Sequence, residues 1–407
     1  RQPPRVPARL DRLAAHASMI TSASAAEVSQ RAQQWLTSHR YRFVVDDDGS
    51  LRAEAGRHRE TGNLVFHIFL VFVLVGVGWN TLWGFKGTSV VVEGQGFSNS
   101  ITQYDEFKAG AMVDTDNLTP FSMKLRKFVV SFETGTVQRG AARSFDATVD
   151  LTMGGKTQTR DLQVNHPLRI GSTKVHLLGH GYAADVVVRD GDGKVAYSGP
   201  VVFLPQDANF KSVGVIKVPD ARPDRLAFQG FFLPTGAITA GGPTSLFPDA
   251  LNPQLYLTAW YGKPTVETGV PSNIYTLDTT GLTQVTNGKD KARFVLSPGQ
   301  RYKLPDGKGS IQFNGWQRWA KIQVSQNPGL PLTFLSVVLS VAGLCVSLFS
   351  RSRRVWVRTI PGDDGLRVEI GGLDRSDSRS GAVDDVNSLL AALHGDSMSG
   401  DVGEEHS

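Results

Sequence analysis

Cysteine is almost absent: Cys345 is the single one in 407 residues. That excludes an intramolecular disulfide, a CxxC redox pair, a cysteine-based zinc cluster and a CxxCH haem-attachment site. The chain is therefore neither a thiol oxidoreductase nor a c-type cytochrome. Charge is modest too, at 20 % of residues with a formal net charge of +5. No dense Lys/Arg stripe interleaved with aromatics occurs, so nucleic acid is not an expected partner. GxSxG, the P-loop and GxGxxG behind a strand are all missing. The stretch that follows Arg1 has no apolar h-region or small-residue cleavage site and does not read as a signal peptide. Since the first residue is not methionine, a longer native N-terminus is expected.

Two long apolar runs stand out instead. Leu64–Trp83 and Leu330–Phe349 each suit a helix of about 20 residues, the length that crosses a hydrocarbon core of about 30 Å. A helix satisfies its own backbone hydrogen bonds in lipid. "RHRE" (Arg57–Glu60) precedes the first run and "RSRRVWVR" (Arg351–Arg358) follows the second. Arginine at both outer flanks predicts that both termini are cytoplasmic. Trp79 and Trp83 mark the opposite end of the first run, and Trp316 and Trp319 approach the second on that side. A multi-pass protein of the plasma membrane is expected.

Between the runs the pattern is β. "KLRKFVVSFETG" and "SFDATVDLTMGGKTQTRDLQVNHPLRI" alternate apolar and polar residues, with Gly154-Gly155 at a hairpin turn. A second turn is expected around Asp190–Gly193, and no long amphipathic helix interrupts the region. The expected fold class is a membrane protein with two transmembrane helices flanking a large all-β, sandwich-like extracytoplasmic domain, plus small cytoplasmic α/β and hairpin pieces. The boundaries are a cytoplasmic helix-plus-hairpin module over 1–60 and a transmembrane helix over 62–84. The β domain covers 85–329, a second transmembrane helix 330–350, a cytoplasmic hairpin 351–373 and an acidic, mobile tail 374–407. Ser24 with Glu27 reads as a capping box, and "DDVNSLLAALHG" as a short amphipathic helix within the tail.

Histidine carries what chemistry there is. His67 lies in the first apolar run and shares a helical face with Val71, Leu74 and Gly78. Gly76 and Gly78 leave room for a flat ligand or a close helix. The imidazole is either an axial haem ligand or a boundary residue reaching headgroups or a neighbouring carbonyl. Cys345, near the cytoplasmic end of the other run, sits at about the same depth, either pairing with His67 on iron or packing as a small hydrophobe. "NHPLRIGSTKVHLLGHGY" holds His166, His176 and His180. The last two are four apart and share a face on a strand as on a helix. HLLGH lacks the glutamate of a zincin, so half-exposed strand histidines are the alternative to a metal pair. His166 precedes a proline and belongs to an extended or turn segment. Asp190 and Asp192 lack the glutamate of a calcium loop.

The order of these pieces resembles ResB-type cytochrome c biogenesis proteins of system II maturation. "AGRHRETGNLVFHIFLV" is similar to that family's flanked, histidine-bearing span. "QVNHPLRIGSTKVHLLGHGYA" resembles its Asn-His-Pro-Leu motif, and "IQVSQNPGLPLTFLSVVLSVAGLCVSLFSRSRRVWVR" its final span. The likeness runs over about residues 60–370. It implies work beside a CcsA/ResC-type membrane partner, in a complex that carries haem and presents it to the reduced CxxCH of apocytochrome c. A thiol-reducing membrane or thioredoxin-like protein is implied as well. By this resemblance His67 becomes the haem-ligand candidate and His166 an extracytoplasmic one, with His176 and His180 as weaker candidates; Cys345 remains a weak candidate from its depth alone. The family carries two more spans ahead of the histidine-bearing one, so a second axial ligand is expected from those or from the partner. No catalytic residue is assigned to the chain alone. A membrane-anchored β-domain scaffold or sensor without cofactor is the alternative reading.

Overall fold

Residues close to the two ends of the chain build one sheet. The computed structural model describes residues 2–56, 58–264, 275–350, 352–374 and 380–394. Within them the chain divides into a terminal unit (residues 1–78 and 329–407) and a middle unit (79–328). Arg57, Arg351 and the rest of the acidic tail, named above as flanks and tail, lie outside the described residues.

In the terminal unit five strands run in the order Ala15–Thr21, Gly365–Asp374, Arg353–Gly362, Leu51–Ala55 and Arg42–Val45. All neighbours are antiparallel. Helix α1 (Ala25–Ser38) covers the sheet, and its start is the expected capping box: Ser24 accepts from the Glu27 amide while Glu27 reaches back to the Ser24 amide. Helix α2 is His58–Trp83 and helix α3 is Leu330–Phe349. Both are long and apolar enough to cross a membrane. Helix α4 (Ser380–His394) closes the unit, with Ala382, Val386, Leu389 and Leu393 buried at helical spacing. Its Asp385 accepts from Tyr41 Oη at 2.6 Å and from Arg353 Nη1 at 2.9 Å, and Ser388 accepts from Trp35 Nε1 at 3.1 Å. The sequence reading kept 1–60, 351–373 and 374–407 as three pieces. Their described parts share one core of Val28, Leu36, Leu51, Val357, Ile370 and Leu389, because none of them alone can bury its apolar face.

Helices α2 and α3 meet along small residues. A Cβ on Gly62 would stand 2.6 Å from Ser347 N, and one on Gly343 would stand 2.8 Å from Phe66 N. Gly76 is closed in the same way by Thr333, whereas Gly78 has nothing within 4 Å. Ser336 and Ser340 are buried on the α3 side, and the Ser340 hydroxyl donates to the Phe66 carbonyl at 3.4 Å. Lipid gives apolar helices no hydrophobic reason to pair, so this close backbone approach supplies the contact.

The middle unit is built on two seventeen-residue strands, Thr173–Arg189 and Ser310–Gln326, paired antiparallel end to end. Phe85–Val92 extends the sheet on one side. Val195–Pro205, Ser212–Val218, Arg225–Leu233 and Gln254–Gly262 extend it on the other. Arg293–Leu296 then joins Gln254–Gly262, and Arg301–Lys303 joins Ser310–Gln326, so the sheet curls around Tyr182, Phe203, Phe228, Phe232 and Phe313. A separate four-stranded sheet, running from Gly96–Ser98 to Lys156–Gln163, packs Leu125, Phe128 and Val149 on Val175, Leu177, Ile322 and Val324 of the large sheet. The outcome is two packed sheets at one end and a curled sheet at the other. Both expected turns are present. Gly154 and Gly155 take φ of 53° and 76° between paired Met153 and Lys156, and Asp190 Oδ1 accepts from the Lys194 amide at 2.9 Å.

The seam makes a paired test. Gly343→Ala is expected to lower the stability of the detergent-solubilised chain by about 1–3 kcal/mol, while Gly78→Ala leaves it unchanged. Thermal unfolding of the two variants side by side measures this.

Candidate functional site

His67 lies on the face of α2 turned away from α3. At about 100° per residue it stands about 140° round the helix from Gly62, on the exposed side with Val71 and Leu74. Its Nδ1 is 2.8 Å from the Asn63 carbonyl, one turn back in the same helix. A carbonyl oxygen only accepts, so Nδ1 carries a proton, and in the neutral ring Nε2 is the nitrogen that holds the lone pair. The Phe66 ring stands edge-on to the imidazole at 5.0 Å and restricts its rotation. Both readings of the residue thus meet in one geometry. The carbonyl bond satisfies Nδ1 and presents Nε2, as a second-sphere partner orients a metal-binding imidazole.

Cys345 does not share that site. The α3 seam runs through Ser336, Ser340, Gly343 and Ser347, and Cys345 stands about 170° round from its centre. Its thiol is exposed on the far side of α3. Similar depth in the sequence therefore does not bring His67 and Cys345 face to face. Among the described residues no group of three or more His, Cys, Asp or Glu side chains is placed to hold a metal ion.

The three histidines of the middle unit are scattered. His166 is exposed at a turn, where Asn165 takes φ 65°, a conformation that Asn tolerates. Its Nδ1 is 3.3 Å from the Val164 carbonyl. His176 and His180 are not a pair: the register slips by one between Leu177 and Gly179. His176 is opposite Gln323 and His180 opposite Ala320, positions of opposite parity on the partner strand. The bulge turns the two rings to opposite faces of the sheet, which corrects the expectation that spacing of four keeps them together.

His180 is instead buried where the two cores meet. Phe210 stacks on it at 4.6 Å, with Phe145 and Phe128 at 5.2 and 5.7 Å. Phe210 holds this position with a φ of 59°. Next to it, Arg318 lies in a cage of Tyr182, Trp316 and Phe132 and donates from Nη2 to Asp249 Oδ1 at 2.7 Å. Glu93 ties the two sheets together by accepting from the amides of Phe128 and Arg318. Burial, and then the Arg318 charge, push the His180 imidazole down to about 4. The sequence reading missed Arg318; its one signal was an arginine in the apolar strand "GWQRWAK". Beside Gly181 the indole of Trp319 occupies the space that a Cβ would take, and its Nε1 donates to the carbonyls of Tyr182 and Phe203.

A profile of the ResB-like family matches residues 1–383. Among curated proteins, a cytochrome c biogenesis protein CcsB from a Synechococcus species is 22 % identical over 316 residues, covering 77 % of this chain and 55 % of that protein. The CcsB of Microcystis aeruginosa is 20 % identical over 331 residues, 81 % of this chain and 60 % of its own length. One from a Picosynechococcus species is 28 % identical over 142 residues, 34 % of this chain and 28 % of the relative. The chain thus spans little more than half the length of these relatives at most.

His180 gives a pH test. An unfolded histidine titrates near 6.5, the folded one at about 4. Between these values the unfolded state binds more protons, so stability falls as pH drops through that window. The loss is expected to total about 3 kcal/mol. His180→Phe should flatten the slope, read by tryptophan-monitored unfolding between pH 7 and 4.

Proposed function

The chain belongs to the ResB-like family, and from that premise we propose that it is a membrane component of cytochrome c maturation that handles haem and presents apocytochrome c for haem attachment. The observation that carries this reading is the oriented imidazole of His67, with Nδ1 bound to Asn63 and Nε2 open on the exposed face of α2. Haem is cargo here. His67 Nε2 offers its iron an axial nitrogen. Val71, Leu74 and the uncovered Gly78 give the same face an apolar, low-relief surface. The second axial ligand comes from a CcsA/ResC-type partner or from a span preceding this stretch.

The terminal sheet supports one reading of the sidedness. Strands from both chain ends pair with one another, and a single hydrogen-bonded sheet does not straddle a bilayer. This supports both apolar helices crossing between one compartment for the terminal unit and another for the β-rich middle unit. The arginines beyond the helices favour the cytoplasm for the former. Trp79 and Trp83, half exposed and 6.2 Å apart, fit the opposite interface.

Thioether formation adds a thiol S–H across a haem vinyl group, with no net oxidation, and its main demand is positioning. The β unit is the surface offered to apocytochrome c, with His166 exposed on it. The family resemblance assigns reduction of the apocytochrome thiols to a separate thiol-reducing protein, and the one cysteine of this sequence lies within α3.

Purified with its partner, the chain is expected to carry a haem absorption band that His67→Ala weakens at least several-fold. An unchanged band removes His67 from haem handling, and a complex free of haem under all conditions leaves the scaffold reading.

A further inference from the structure

The terminal unit contains a cavity of about 900 Å³ at the point where the sheet hands over to the two apolar helices. Its wall includes His39 and Arg40 from the end of α1, Arg42 and Glu54 from the sheet, His58 and Glu60 from the start of α2, and Arg354 after α3. Among the described residues its wall holds three arginines and two glutamates. Glu54 is already held by Arg354 Nε at 3.1 Å. A smaller cavity of about 340 Å³ adjoins it, sharing Glu60 and Ser352 and reaching Asn63. Asn63 is the residue whose carbonyl fixes His67.

His39 is oriented as His67 is. Its Nδ1 lies 2.9 Å from the Trp35 carbonyl and 3.0 Å from Ser38 Oγ. The Ser38 hydroxyl has one proton and donates it to the Trp35 carbonyl at 2.8 Å, so Nδ1 is the donor to both. In the neutral ring Nε2 is then the nitrogen that holds the lone pair. The imidazole is stacked on the Trp35 indole at 4.0 Å and 18°, which fixes its plane.

We propose that this cavity is a loading site for haem ahead of His67, with His39 Nε2 taking the iron and Arg40 and Arg354 receiving the propionates. The proposal rests on the haem-handling reading given above. The ligand class follows from the wall: a lone-pair imidazole selects a metal centre, and arginine forks match carboxylates in pairs. The volume suits a tetrapyrrole. A phospholipid headgroup would use the cations and leave His39 without a role. The two cavities share Glu60 and Ser352 in their walls, the smaller one reaches Asn63, and His67 is one helical turn beyond.

Haemin titration of the detergent-purified chain, followed by the ferric absorption spectrum, tests this. The wild type is expected to bind two equivalents with imidazole-type spectra, and His39→Phe, which keeps a ring on Trp35, and His67→Ala one each. Arg40→Ala should weaken the His39 component about tenfold, as should replacing haemin by its dimethyl ester; these two arms stand even where His39→Phe disturbs α1. A wild-type titration in both His39→Phe and Arg40→Ala overturns the proposal and leaves the His67 reading intact. Loss in His39→Phe but not in His67→Ala supports the cavity and removes the His67 reading. Unchanged haemin binding with loss of phosphatidylglycerol-vesicle association in Arg40→Ala assigns the cavity to a lipid headgroup and overturns the proposal.

Discussion

The pairing of Leu51–Ala55 with the start of Arg353–Gly362 is the constraint on which the rest depends. It joins residues about 300 positions apart, from Arg353 opposite Ala55 to Val357 opposite Leu51. Both strands stop within a few residues of an apolar helix, so the sheet clamps one end of α2 to one end of α3. Once those ends are held together, the small residues of the seam bring the backbones into contact. Without the clamp, two apolar helices in lipid have little reason to choose this register.

That choice of seam decides what is left outward. With Gly62, Phe66 and Gly76 turned to α3, the other side of α2 is open, and His67 lies on it. A single intrahelical carbonyl then settles the tautomer. The same device, an Nδ1 proton given to the carbonyl four residues back, recurs at His39. Two imidazoles of like orientation and two adjoining cavities give the terminal unit a coherent chemistry. The middle unit shows an Nδ1-to-carbonyl contact once, at an exposed turn, where His166 Nδ1 lies 3.3 Å from the Val164 carbonyl. Its one deeply buried histidine is packed among phenylalanines beside a caged arginine, an arrangement that joins two cores.

Local features were legible in the sequence, and distant pairings were not. The two apolar helices, the Ser24–Glu27 capping box and the Gly154-Gly155 turn each depend on neighbouring residues, and each is present. The sheet joining both ends depends on contacts across the whole chain, and no local pattern reports it. Helix α4 was legible as a helix but not as a part of that core. At the candidate site the histidine was readable and its neighbours were not. Separating His176 from His180 needed the bulge beside Gly179, and the position of Cys345 needed the seam. The second of these had a signal: Ser336, Ser340, Gly343 and Ser347 recur at spacings of four, three and four, which marks a close-packing face. His39, at the end of an unremarkable helix, had none.

The central claim is that the clamped sheet lies on one side of a membrane and the β unit on the other. Cysteine placed at Gln34 of α1 or at Lys156 of the β unit, in a Cys345→Ser background, reports it through labelling by a membrane-impermeant maleimide. The account expects Lys156→Cys to label in intact cells, and Gln34→Cys to label only in inverted vesicles or after permeabilisation. Labelling of both positions from the same side would contradict it.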